Sequence, residues 1–192
     1  MLAAAPPPFA EDRPVLRAAY DWAARLHATQ LRDVDRAPFI LHPLEVAALL
    51  ASRGFDDEVV AAGLLHDVVE DTETDLDEVR RRFGDRIADA VAAVTEDPTI
   101  DDYRARKGAL RDQVAAAGAD AHAVYAADKI AKARELRAQA ARSESFHDDP
   151  ALLRRLEHYE LSLATLREVA GGDSLVQALA FELWALRNLP PA

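Results

Sequence analysis

The stretch Leu64-Leu65-His66-Asp67-Val68-Val69-Glu70-Asp71-Thr72 sets one imidazole and three carboxylates into an otherwise apolar run. A helix advances about 100° per residue, so positions 66 and 70 stack, as do 67 and 71, and the four polar groups share one arc. Leu64, Leu65, Val68 and Val69 are left to hold that helix against a core. Burying so many ionisable groups costs free energy unless a cation or hydrogen bonds compensate, and a divalent metal is the simplest compensator. Two other places supply ligands of the same kind. One is His42 in Pro38-Phe39-Ile40-Leu41-His42-Pro43, and the other is Asp128 in Ala126-Ala127-Asp128-Lys129. Two imidazoles and two carboxylates form a borderline-to-hard donor set. It suits Mn2+, Fe2+, Co2+ or Zn2+ better than Ca2+ or a structural zinc, and it leaves room on an octahedral ion for water and a phosphate oxygen.

Helices must position these groups. Apolar residues recur at helical spacing almost throughout, and no alternating strand pattern is present. Val15, Ala19, Trp22 and Leu26 mark a first helix opened by Pro14. Residues 31–39, with mixed charges and Pro38, read as a loop. A second helix starts near His42-Pro43 and ends before Gly54, and a third carries Val59, Ala62, His66 and Val69 on one face. Asp75 and Glu78 form a capping-box-like start for a short helix stopped by Gly84. Ile87, Val91 and Val94 mark a fifth helix, and Tyr103, Leu110 and Val114 a sixth. Val124, Asp128, Ala131 and Glu135 share one face of a seventh. After a polar break at 143–150, two Leu-rich stripes give a C-terminal helical pair: Leu152 to Leu166, then Leu175 to Leu186. The expected organisation is a short N-terminal arm over 1–12 and one domain over 13–192, with a core at 13–142 and the helical pair at 150–188. Trp22 and Trp184, both at helical spacing with apolar neighbours, are expected in the core.

Composition narrows the function. The chain has 192 residues, half of them hydrophobic, with 7 Gly and no Cys, which favours helices and excludes disulfides, thiolate zinc sites and Cys nucleophiles. A net charge of −11 opposes general binding to nucleic acid or to an anionic membrane surface. The first ten residues lack the basic start and apolar run of a secretion signal, and no segment is long and apolar enough to span a bilayer, so a cytoplasmic location is expected. The Leu-rich C-terminal stripe leaves homo-oligomerisation open. An anionic substrate would need local cations, for which Arg32, Arg36, Lys107, Lys132 and Arg134 are candidates; Arg36 reads as a solvated charge.

Taken together these segments resemble the HD-domain metal phosphohydrolases, and within them the hydrolase domain of RelA/SpoT-type proteins and the small stand-alone alarmone hydrolases. The resemblance runs from about Ala18 to Leu136, through Ala24-Arg25-Leu26-His27 with Gln30 and Arg32, Pro38-Phe39-Ile40-Leu41-His42-Pro43, Gly63-Leu64-Leu65-His66-Asp67-Val68-Val69-Glu70-Asp71 and Ala127-Asp128-Lys129, and a weaker match continues in His158-Tyr159 and Ser162-Leu163. It implies a compact all-α bundle of about nine helices, with one divalent metal, most often Mn2+, among the second, third and seventh. It also implies removal of the 3′-pyrophosphate from (p)ppGpp. Carried over by motif, His42, His66, Asp67 and Asp128 match the metal ligands. Glu70 and Asp71 match the acidic pair that activates water, and Arg32 matches a residue against the substrate base. Lys107, Lys132 and Arg134 are added as candidate substrate contacts on charge alone. His27 reads as a packing or supporting residue rather than a fifth ligand. Asp33, Lys132 and Glu135 depart from the alarmone-hydrolase pattern where the family contacts nucleotide. A phosphatase acting on another nucleotide or phosphate ester therefore stays open, as does a non-catalytic nucleotide- or metal-binding module.

Overall fold

Aspartates start many of the helices. Asp56, Asp75, Asp102 and Asp149 each accept a backbone N–H from the first turn that follows, at 2.7–3.3 Å. Each such cap is worth about 0.5–2 kcal/mol relative to Ala, so part of the acidic excess serves local structure. The computed structural model describes residues 6–142 and 148–188. Among these the helices of eight residues or more are α1 (Pro14–Leu26), α2 (Leu41–Ala51), α3 (Asp57–Leu65), α5 (Leu76–Phe83), α6 (Asp85–Val94), α7 (Tyr103–Ala116), α8 (Ala119–Ala140), α9 (Pro150–Ala170) and α10 (Ser174–Asn188). A single turn, α4 (Val68–Asp71), follows α3, and a short 3-10 turn, Pro8–Ala10, precedes α1. The only β feature among the described residues is one bridge, Leu31 to Pro38. The expected all-α class is observed.

Packing divides the chain into two compact units, Met1–Thr95 and Glu96–Ala192. The division lies well before the expected seam at 143–150, part of which (143–147) falls outside the described residues, as do 1–5 of the arm. In the first unit α3 is central and packs on α1, α2 and α6, with α5 on α6. In the second, α8 packs on α7, α9 and α10. All nine residues from Ala123 to Ala131 are buried, so α8 is covered on every side rather than along the one stripe that its periodicity suggested. Its many alanines make that close approach possible without overpacking.

Two expectations are corrected. The third helix does not run unbroken through Thr72: it stops at Leu65, His66 and Asp67 form a turn, and α4 starts again at Val68. Trp22 is buried against Phe83, but Trp184 is 52% exposed and stacks on the exposed Phe181. Helical spacing alone cannot tell which face of α10 meets α8 and α9. No helix of the described residues is long and apolar enough to cross a membrane.

Candidate metal centre

α2 and α3 are joined by a short turn and packed against each other as a helical hairpin, so the first turn of α2 lies beside the last turn of α3. That topology brings His42 to His66. Gly63 allows the close approach: a Cβ there would lie 2.6 Å from Leu50 Cδ1 and 3.4 Å from Val46 Cγ1. Its carbonyl accepts the Nδ1–H of His66 at 2.8 Å. A carbonyl only accepts, so the neutral ring keeps its free lone pair on Nε2. That nitrogen lies 3.2 Å from Nε2 of His42, and Asp67 Oδ2 lies 3.2 Å from His66 Nε2 and 3.4 Å from His42 Nε2.

The break between α3 and α4 serves this convergence. Asp67 occupies the position before α4 but makes no side-chain cap, because its carboxylate turns to the two imidazoles. All three residues are buried, at 3–4% exposure. The donor set fits a divalent transition ion. Ligand atoms about 2.1 Å from one ion and roughly 90–110° apart are separated by about 3.0–3.4 Å, the spacing seen here.

Other predicted residues divide by unit. Glu70 and Asp71 both lie on α4 and are exposed to solvent. α4 is tied down from α1: His27 Nδ1 donates to Gln30 Oε1 at 2.6 Å, and Gln30 Nε2 donates to the Asp71 carbonyl at 2.6 Å. His27 thus orients Gln30, and Gln30 reaches α4. At the other end of α4, Thr72 Oγ1 donates to the Val68 carbonyl. Arg32 sits in the 31–38 loop, held by Asp35, and Arg36 adopts a positive φ of 60° in the same loop.

In the second unit Asp128 is 4% exposed, with Lys129 Nζ 2.6 Å from its Oδ2 and Lys132 Nζ 3.0 Å from its Oδ1. Burial works against the Lys129 ammonium, but the Asp128 carboxylate holds its pKa above the ordinary lysine range. Lys107 pairs with Glu96, which Arg106 also contacts. Burial would raise the Glu96 pKa, but Lys107 and Arg106 bring it below the usual carboxylate range. Burial, helped by repulsion from Lys129, lowers the pKa of Lys107. Arg134, a candidate substrate contact, has a carboxylate partner of its own. Its guanidinium pairs at 2.8 Å with the buried Glu182 of α10, so its charge ties α8 to α10.

Sequence reasoning gave no role to Gly63 or Lys129, although both stand in motif segments. It set aside His158, a buried imidazole whose Nδ1 accepts from Arg111 at 3.0 Å. The weaker family match that continues in His158-Tyr159 and Ser162-Leu163 assigned it no role.

Comparison with known proteins adds an independent line. A family model described as HD domain matches residues 19–148. The guanosine-3′,5′-bis(diphosphate) 3′-pyrophosphohydrolase of Aquifex aeolicus (strain VF5) is 44% identical over 81 residues, which is 42% of this chain and 12% of that much longer protein. The human guanosine-3′,5′-bis(diphosphate) 3′-pyrophosphohydrolase MESH1 is 34% identical over 174 residues, 89% of this chain and 93% of that one. Among solved structures, one described as a metazoan ortholog of SpoT that hydrolyzes ppGpp superposes with a TM-score of 0.72 at 25% identity, covering 90% of this chain and 94% of the other.

Proposed function

This chain belongs to the HD-domain family, and we propose that it is a metal-dependent phosphohydrolase acting on the 3′-pyrophosphate of a guanosine alarmone such as (p)ppGpp. The observation that carries the reading is the buried meeting of His42, His66 and Asp67 at 3.2–3.4 Å. The substrate is supported by the human relative, which is matched over most of both chains.

The ligands we assign are His42, His66, Asp67 and, carried over by its motif, Asp128; the two histidines and Asp128 each offer a buried ligand atom. A bound divalent ion, Mn2+ in the first instance, supplies polarisation of a phosphoryl oxygen and acidification of the attacking water. Everything else falls to side chains. His66, fixed by the Gly63 carbonyl, presents Nε2 without rotating. Glu70 and Asp71, on the turn that directly follows Asp67, accept the proton of the attacking water and orient it. Arg32, Lys107 and Lys132 offset the charge of the substrate, which the net charge of −11 would otherwise repel.

The test is hydrolysis of a panel of nucleotide phosphates in Mn2+, with 31P NMR identifying the released group. Pyrophosphate from ppGpp is expected, and Glu70→Gln should keep the metal while losing about 10²–10⁴ in rate. Cleavage of another nucleotide phosphate with ppGpp untouched would remove the alarmone but keep the phosphohydrolase. That outcome would trace to Asp33, Lys132 and Glu135, where the chain departs from the alarmone-hydrolase pattern. Metal binding with no turnover on any substrate would leave a binding module.

A further inference from the structure

A small open cleft of about 80 Å3 lies between α7 and α9, lined among others by Arg104, Lys107, Arg111, Arg154, Glu157 and His158. Four cations face it and one carboxylate, in a chain where acidic residues outnumber basic ones by 34 to 23. Glu157 is matched by Arg104 at 2.9 Å, and Lys107 by Glu96. Arg111 and Arg154 have no carboxylate partner among the described residues. Arg154 instead lies 5.9 Å from the centre of the Tyr103 ring, with Lys107 Nζ at 5.6 Å from the same ring, and Arg111 donates to His158.

That last contact is informative. A guanidinium cannot accept a hydrogen bond, so the lone pair of His158 is on Nδ1 and its proton on Nε2. Burial foremost, then the charges of Lys129, Lys107 and Arg111, bring the His158 pKa down to about 2, so the ring is neutral wherever the protein works. An arginine oriented by a carboxylate has its charge offset by that partner; one oriented by a neutral imidazole keeps it. Nε2–H is moreover buried without an acceptor among the described residues, which is a cost to the fold.

We propose that this cleft binds the phosphate group of a small anionic molecule, with Arg111 and Arg154 taking the phosphate oxygens, Lys107 adding charge, and His158 acting as the residue that positions Arg111. At about 80 Å3 the cleft is well below the roughly 300–1,000 Å3 typical of small-molecule pockets, which suits a phosphate or pyrophosphate group rather than an entire nucleotide. Every residue of the cleft belongs to the second unit, and none of its contacts needs a bound metal.

The probe is inorganic pyrophosphate, titrated calorimetrically into full-length Asp67→Ala protein freed of metal, so that the metal centre contributes nothing. Binding that weakens with salt is expected, and Arg111→Leu and Arg154→Ala should each lower affinity roughly tenfold, the scale of one charge-assisted hydrogen bond. His158→Phe should lower it by a similar factor, and His158→Gln, which retains a neutral acceptor, should restore most of the loss. A merely structural histidine would not show that rescue. No binding at about 10 mM pyrophosphate, where a 1 mM site would be well filled, overturns the proposal. So does binding that neither arginine variant changes. Should Arg111→Leu fail to fold, the exposed Arg154→Ala decides alone. In the Mn2+-loaded wild-type background, a raised KM with unchanged kcat for Arg154→Ala assigns the phosphate to the substrate. An unchanged KM with retained pyrophosphate binding in the parent assigns it to a separate ligand. Failure of ppGpp hydrolysis with intact pyrophosphate binding counts against the proposed function and not against this cleft.

Discussion

Asp67 in the first unit and Asp128 in the second are the same residue type, each 4% exposed, yet their surroundings solve the problem of a buried carboxylate in opposite ways. Asp67 meets two imidazole nitrogens at 3.2 and 3.4 Å, one of which has its free lone pair turned toward it. Asp128 meets two ammonium groups from its own helix at 2.6 and 3.0 Å. Among the contacts of Asp67 are atoms that bind a cation; among those of Asp128 are two cations. Burial of an acid is therefore a poor guide to its role, and the chemistry of its neighbours is a good one. A metal drawing on Asp128 competes with Lys129 and Lys132.

The largest expected effect separates the two aspartates. Asp67→Ala should abolish metal retention and cut turnover by the several kcal/mol that a catalytic ion supplies, roughly three decades. Its stability in chelator should change little. Asp128→Ala leaves the buried Lys129 without its carboxylate, and breaking a buried pair costs about 3–5 kcal/mol. It should therefore unfold at much lower denaturant even without metal. Metal analysis and urea melts on the two variants measure both quantities, and a larger stability loss in Asp67→Ala would reverse the contrast.

A smaller effect tests how the first cluster is held. Gly63→Ala puts a methyl 2.6 Å from Leu50 Cδ1. Leu50 must move, which costs about 1–3 kcal/mol in a packed core. The same shift displaces the carbonyl that orients His66, and losing such support typically costs about 10–100-fold in metal affinity. Calorimetric Mn2+ titration of a folded Gly63→Ala protein checks this. Unaltered affinity would mean that the hairpin, rather than the Gly63 carbonyl, sets the ring.

Much of this was legible in the sequence. Apolar spacing and Asp caps are local signals, so the helices and their starts at Asp75 and Pro14 could be read directly. His66 and Asp67 were marked by the conflict between charge and apolar context, and His42, an imidazole at a helix start, by its place in the order of motif segments. The break at His66-Asp67 was not legible, because the residues on either side continue a perfect helical pattern. What stops the helix is Asp67 turning to His42, a residue 25 positions earlier, and a non-local contact leaves no mark in a local window. Trp184 failed for the related reason that α10 is apolar on more than one face. Arg134 was read by its charge, and its partner Glu182 lies 48 positions away.

The last effect concerns three of the four buried imidazoles among the described residues. His42 and His66 sit beside a carboxylate, whereas His158 sits among Lys129, Lys107 and Arg111 and folds only in its neutral form. In the unfolded chain His158 takes up a proton near its ordinary pKa of about 6.5; in the folded chain it does so only near 2. Between those values the unfolded state binds one more proton, so stability rises with pH and levels off above about 6.5. The slope from this one group is about 1.4 kcal/mol per pH unit. His158→Phe removes it, while His42, His66 and every carboxylate stay the same in both proteins. Urea melts of wild type and variant at intervals from pH 4.5 to 8 should therefore give curves that run parallel above pH 7. Below 6.5 the wild type alone should carry the extra proton's slope, so that the variant gains on it as the solution is acidified. Parallel curves throughout would mean that His158 protonates in the fold, and Arg111 would then stand beside a cation instead of an acceptor.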